Sequence, residues 1–159
     1  MADRKPPRTA GDERATLLTA LQFQRTSLVE KVEGVTDDDA RASPVASGTS
    51  LLWLLRHVAR AELLWVLHRF AGQDGSVVPS DEVGPDDTVA DAAAHYRATW
   101  ARVDAVIAAS PDLDAPCRAN DRDEPTDLRW VLAHLLEETA RHAGHADILR
   151  ELLDGQTGR

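Results

Sequence analysis

A long helical pattern between Leu128 and Leu153 limits the folds open to this chain. The segment LRWVLAHLLEETARHAGHADILRELL contains no proline, and its apolar residues recur at helical spacing. Thr126 is placed to cap its start, and Gly155 is placed to end it. The segment therefore predicts one long helix, and the rest of the chain must supply apolar partners for it.

Three further segments have helical patterns separated by loop-forming residues. We predict helices from about Asp12 to Glu33, from a cap at Thr49 or Ser50 to about Phe70, and from Asp86 or Asp87 to just before Pro111. Thr36 and the acids after it predict a short extra turn. No convincing strand pattern is present. The fold class predicted is all-α, an antiparallel four-helix bundle with long connecting loops.

The length of 159 residues fits one domain, which we place at 12–155 after an N-terminal tail, 1–11, expected to be disordered. The two long loops, 72–85 and 112–125, are candidates for the rim of a site or a dimer surface.

Composition excludes several classes of function. A net charge of −9 and a pI near 5.0 argue against nucleic acid as a partner. The start has no apolar signal region and no stretch is apolar enough to span a membrane, so we expect a cytoplasmic protein. The single cysteine, Cys117, cannot form an internal disulfide. A strong preference for arginine over lysine suggests a GC-rich, actinobacterial source.

The long C-terminal helix presents metal-ligating residue types on one face. Glu138 and His142 are four residues apart, so they project from neighbouring turns. His145 and His134 fall in the same sector, within roughly 80° on a helical wheel. His57, in the second helix, is a further candidate. Geometry alone leaves three pairs open: Glu138 with His142, Glu138 with His145, and His134 with Glu138.

Each of these residues also has a purely structural interpretation. A lone buried histidine is more often a hydrogen-bonded core residue, and a glutamate is usually solvated. The sector also lies beside the apolar Val131, Leu135, Ile148 and Leu152, so we expect it to face the core. A carboxylate buried there beside imidazoles needs a compensating charge, which a divalent cation supplies.

The segments SGTSLLWLLRHVARAELLW and LRWVLAHLLEETARHAGHADILRELLDG resemble the DinB-like (YfiT-like) metal-dependent four-helix-bundle superfamily. They are most similar to an actinobacterial, mycothiol-transferase-like branch, and the resemblance covers about Arg14 to Gly155. Members take one metal ligand from the second helix and two, four residues apart, from the fourth. The resemblance places these ligands on His57, Glu138 and His142. Many members have histidine where this chain has Glu138.

The resemblance also implies a reaction. Such a site activates a low-molecular-weight thiol, mycothiol in an actinobacterium, for transfer to a small electrophile or for isomerisation of a substrate. The expected cofactor is a divalent metal, zinc first, with nickel or iron as alternatives. His145 and His134 are then alternative ligands or hydrogen-bond partners of the ligands. No catalytic residue beyond the ligands is assigned. A small zinc-dependent hydrolase and a non-catalytic stress or binding protein with a vestigial site remain alternative functions.

Tryptophans on the second and third helices predict a homodimer. Trp53, Trp65 and Trp100 add more apolar surface than a four-helix core requires, and such excess often marks an interface.

Overall fold

The computed structural model describes residues 5–8, 10–119 and 125–157. The helices are α1 (Glu13–Val32), α2 (Asp37–Arg41), α3 (Leu51–Glu62), α4 (Val89–Ala108) and α5 (Leu128–Asp154). A π-helix, Leu63–Phe70, continues α3, and a single 3-10 turn, Gly75–Val77, follows in the next loop. The described residues include no named strand, so the predicted all-α bundle is confirmed.

The helix starts follow local capping chemistry. The side chains of Asp12, Thr36 and Ser50 each accept a hydrogen bond from a backbone N–H of the first turn. Two predicted caps are wrong by one or two residues. Thr88 caps α4 in place of Asp86 or Asp87, and Asp127 caps α5 in place of Thr126.

Gly155 ends α5 in the left-handed conformation, with φ of 74°. Of the predicted N-terminal tail, residues 1–4 and 9 lie outside the described residues. The described part before α1 has no regular secondary structure, and its disorder stays a prediction. Of the second long loop, residues 120–124 also lie outside the described residues.

Contacts between the long helices define their directions. α1 and α5 run in the same direction, because Glu13 pairs with Arg129 near their starts and Lys31 pairs with Asp147 near their ends. α3 runs opposite to α5, because His57 contacts Glu138 while Trp65, further along, contacts Trp130. The bundle is therefore antiparallel across the α3–α5 seam.

α3 and α4 run parallel to each other. Residues of α3 and of the first half of α4 contribute to one apolar cluster, and residues of the π-helix and of the second half of α4 contribute to another. A chain leaving Phe70 must therefore return along the bundle before α4 begins at Val89. A 20-residue helix is about 30 Å long, so this connection has to be long. The loop 71–88 is that connection, and it passes beside α3.

One charged cluster is buried inside the bundle. Arg25 donates two hydrogen bonds to Glu62, with Nε–Oε1 2.9 Å and Nη2–Oε2 2.6 Å, and the Tyr96 hydroxyl donates to Glu62 at 3.0 Å. Arg25 also reaches Asp104 at 2.8 Å. Burial raises the pKa of Glu62, opposed by the guanidinium, and burial raises the pKa of Tyr96 well above its ordinary value. The cluster ties α1, α3 and α4 together.

Candidate metal centre

His57 lies on the face of α3 that meets α5. Trp53, one turn earlier, stacks on its imidazole with ring centroids 4.4 Å apart and an interplanar angle of 20°. This stacking limits rotation of the His57 ring. Its Nε2 then points across the seam to Glu138 Oε1, 3.1 Å away.

Glu138 and His142 occupy neighbouring turns of α5, as their spacing predicts. His142 Nε2 lies 3.1 Å from Glu138 Oε1, the same oxygen that His57 approaches. One ligand atom from each of the three side chains can be chosen so that all lie within 4.8 Å of one another, a separation that lets them hold one metal ion. The structure brings together His57, Glu138 and His142.

The donor set fits a divalent cation. Two imidazole nitrogens and one carboxylate oxygen are ligands that zinc, nickel and ferrous iron accept. His57 lies between two carboxylates, Glu138 at Nε2 and Asp81 at Nδ1. A neutral imidazole has a single N–H and cannot donate to both. In the tautomer that donates from Nδ1 to Asp81, the Nε2 lone pair faces Glu138, where a cation can bind between them.

Asp81 is a functional candidate that the sequence did not reveal. Its Oδ2 lies 2.8 Å from His57 Nδ1. Asp81 belongs to the loop 71–88, and it reaches His57 because this loop must return along α3. No local motif marks it: an acid in a polar loop is usually solvated. Only knowledge that α3 and α4 are parallel would have drawn attention to this segment.

The two other histidines of α5 have different surroundings. His145 Nδ1 lies 3.3 Å from His142 Nδ1, so His145 contacts the far side of a candidate ligand. His134 stacks on Trp130, with centroids 4.9 Å apart, and its Nδ1 lies 3.9 Å from Glu137 Oε2. The observed convergence favours Glu138 with His142 among the three pairs left open by spacing.

The apolar surroundings expected for this sector of α5 are only partly present. Val131 and Leu135 are buried, whereas Ile148 and Leu152 are 57% and 58% exposed, so the expectation for these two is wrong. α3 and α5 are antiparallel, and His57 lies opposite Glu138. Ile148 and Leu152, further along α5, are therefore level with the first turn of α3 or beyond its start. No part of α3 is there to cover them.

The site is accessible from solvent, and the pKa values of two of its side chains are shifted in the direction that favours metal binding. The side chains of His57, Glu138 and His142 are 22%, 19% and 10% exposed, so a small molecule can reach them. Burial opposes ionisation of Glu138, but the hydrogen-bonding contact with His57 and the interaction with His142 outweigh it and lower its pKa. Burial lowers the pKa of His142, which favours the neutral form that binds metals.

Cys117 does not contribute to this centre. It is a free, buried thiol in a different apolar cluster, which includes residues of the π-helix and of α4. Burial raises the pKa of its thiol, which makes it a weak nucleophile and a weak ligand. Within the described residues, the three-residue group therefore has no thiolate as a fourth ligand, and coordination positions stay open.

Comparisons with known proteins identify a family and a similar fold. The family model described as mycothiol-S-transferase matches residues 16–155. A crystal structure described as the conserved protein of locus from Enterococcus faecalis superposes with a TM-score of 0.61 at 17% identity, covering 92% of this chain and all of that one. At that identity the likeness concerns the fold alone. No curated protein sequence matches this chain significantly. None of the described helices is long and apolar enough to cross a membrane.

Proposed function

Because this chain belongs to the mycothiol-S-transferase family of DinB-like proteins, we propose that it transfers a low-molecular-weight thiol to a small electrophile at a metal centre. His57, Glu138 and His142 are the proposed ligands, and zinc is the expected ion, with nickel or iron as alternatives. The supporting observation is the convergence of His57 Nε2 and His142 Nε2 on one oxygen of Glu138, each at 3.1 Å.

Each protein group has a definable task in this proposal. Asp81 holds the His57 ring by accepting a hydrogen bond from Nδ1, which leaves Nε2 for the ion. The lowered pKa of Glu138 keeps its charge available to balance the cation. Trp53 provides an apolar wall behind His57. When bound, the cation would lower the pKa of a coordinated thiol, so that more of it is the nucleophilic thiolate near neutral pH.

A direct test combines metal analysis with turnover. Protein purified without an affinity tag is analysed for bound metal and then assayed with mycothiol, bacillithiol and glutathione against monobromobimane. We expect one metal per chain and a rate that depends on both thiol and metal, with both dependences lost in His57→Ala. Zinc-loaded protein that is no faster than free zinc with any thiol would contradict the proposal.

The same samples separate the alternative functions. Turnover of esters or amides without a thiol requirement would identify a small hydrolase that uses the same ligands. Absence of bound metal and of any turnover would leave a non-catalytic protein with a vestigial site.

The homodimer stays a prediction, and its basis has changed. Trp53, Trp65 and Trp100 are all partly buried within one chain, where they contact His57, His134 and Tyr96 respectively. The exposed apolar pair is instead Ile148 and Leu152, one turn apart on α5. Light scattering at micromolar concentration should give twice the chain mass, and a monomer mass would remove the prediction.

A further inference from the structure

A second cluster of ring side chains lies along the same seam as the candidate metal centre. Trp65, on the π-helix, lies 5.0 Å from Trp130 and 4.8 Å from His134, measured between ring centroids. Trp130 and His134 stack with an interplanar angle of 19°. Arg69, one turn after Trp65, places its guanidinium 5.1 Å from the Trp65 ring centroid. We refer to Trp65, Trp130 and His134 as the aromatic platform.

The residues of the platform are offset by eight positions on each helix from the residues of the metal centre. Moving eight residues forward along α3 and its π-helical continuation leads from His57 to Trp65. Moving eight residues back along α5 leads from Glu138 to Trp130 and from His142 to His134. The two clusters therefore occupy equivalent positions on one antiparallel seam, about 12 Å apart along α5. His134 is one turn from Glu138 on α5, so the two clusters are neighbours on this seam.

The residue of α3 that lies between the two clusters is small. Ala61 lies midway between His57 and Trp65, four residues from each. In the same register it faces the turn of α5 between His134 and Glu138. Ala61 is buried, 7% exposed, so at this position α3 contributes only a methyl group between the platform and the metal centre.

Two properties of the platform are unusual for simple packing. Trp130 is 43% exposed, although burying an indole is strongly favourable. Trp65 lies in an eight-residue π-helix, a rare conformation that often occurs at functional sites. The chain thus holds an exposed indole against a second indole and an imidazole, close to a candidate reaction centre.

We propose that the aromatic platform binds the planar, conjugated part of the electrophile that receives the thiol. The inference rests on the proposed thiol-transfer function for the identity of its ligand. Conjugated electrophiles are flat and electron-poor, and such groups stack favourably on the electron-rich face of an indole. Because His134 already stacks on Trp130, the ligand would lie against the exposed part of the indole and extend along the seam towards Glu138. Trp65, held by Arg69 and His134, keeps Trp130 in place.

The binding test uses an inert probe, so it does not require turnover. N-(2,4-dinitrophenyl)glycine is planar, electron-poor and unreactive, and N-cyclohexanecarbonylglycine is a saturated control. Calorimetric titration should show binding of the first and much weaker binding of the second. Trp130→Ala should weaken binding of the dinitrophenyl probe about tenfold, and Trp130→Phe should retain most of the affinity. Trp100→Phe, at a tryptophan that contacts Tyr96 instead, is the matched control and should change nothing.

A kinetic test applies the same variants to the metal-loaded protein. Trp130→Ala should raise KM for monobromobimane, which is planar, about tenfold. It should leave KM for iodoacetamide, which is small and aliphatic, unchanged, and the bound metal should stay at the wild-type level.

The outcomes separate this inference from the proposed function. Equal binding of the dinitrophenyl probe by wild type and Trp130→Ala would overturn the platform, even in a protein that transfers thiols. Equal loss in Trp100→Phe would overturn it too, because binding would then not depend on the platform. Binding that depends on Trp130 in a protein without thiol-dependent turnover would support the platform as a site for planar ligands and reject thiol transfer.

Discussion

His57 Nδ1 lies 2.8 Å from Asp81 Oδ2, while Nε2 of the same ring lies 3.1 Å from Glu138 Oε1. One imidazole thus joins the loop 71–88 to α5. Burial opposes ionisation of Asp81, but the hydrogen bond with His57 outweighs it and lowers its pKa. An ionised acceptor at Nδ1 fixes the proton there and leaves the Nε2 lone pair for a cation.

Asp81→Ala should weaken metal binding without removing it. Carboxylates that hydrogen-bond a ligating histidine typically contribute about 10–100-fold in affinity, because they fix the ring and its tautomer. Competition with a chromophoric chelator measures this change. Glu82→Ala, next to it and exposed, is the matched control and should bind as the wild type does. Unchanged affinity in Asp81→Ala would show that Trp53 stacking alone orients His57.

Removal of a ligand should have a larger effect. His57→Ala and His142→Ala should each lower metal affinity by more than 100-fold, since each removes one of only three protein ligands. His145→Ala should cost less, because His145 contacts His142 Nδ1 and not Glu138. His134→Ala should bind metal normally. Circular dichroism checks that each variant is folded. Loss of binding in His145→Ala but not in His142→Ala would instead identify Glu138 and His145 as the pair.

Sequence patterns predicted the helices well, and they also predicted that Glu138 and His142 lie side by side on α5. Apolar periodicity located the four long helices, and i, i+4 spacing brought Glu138 to His142, because both are local properties of a helix. His57 was a candidate from its place in the second helix, but only the family resemblance paired it with Glu138 and His142, since nothing local relates it to α5. Asp81 was not predictable, because its approach depends on the parallel arrangement of α3 and α4. The exposure of Ile148 likewise depends on where α3 begins.

Metal affinity should depend on pH through the imidazoles. Both must be neutral to bind, so affinity should be nearly constant from pH 8 to 7 and should fall as the pH drops below about 6.5. The lowered pKa of His142 means that its own competition with protons begins at lower pH than for an ordinary histidine. Affinities measured against a chelator, corrected for the chelator's own protonation, test this. A constant affinity from pH 8 to 5 would rule out two imidazole ligands.

The lowered pKa of His142 also affects the metal-free protein. Its unfolded chain accepts a proton near the ordinary value of 6.5, whereas the folded site resists it. The free energy of unfolding should therefore decrease as the pH falls from 6.5 towards the folded pKa. His142→Asn should lose less stability over this interval than the wild type, as measured by urea denaturation at each pH.

Removing only one partner of the buried Arg25–Glu62 pair should strongly lower the free energy of unfolding. Arg25→Met leaves the Glu62 carboxylate, 0% exposed, with only the Tyr96 hydroxyl as a recorded hydrogen-bond donor, and should cost about 3–5 kcal/mol. The exposed pair Arg97–Glu33, at 46% and 47%, is the control, and Arg97→Met should cost at most about 1 kcal/mol.

The double variant Arg25→Met with Glu62→Leu should recover much of that loss, because it removes both buried charges together. Some cost should persist, since Tyr96 and Asp104 each lose a hydrogen-bond partner in it. Urea denaturation of the four proteins in the cycle gives the coupling free energy between Arg25 and Glu62. A coupling near zero, with Arg25→Met no worse than Arg97→Met, would show that water reaches Glu62 and that the pair does not hold α1 against α3.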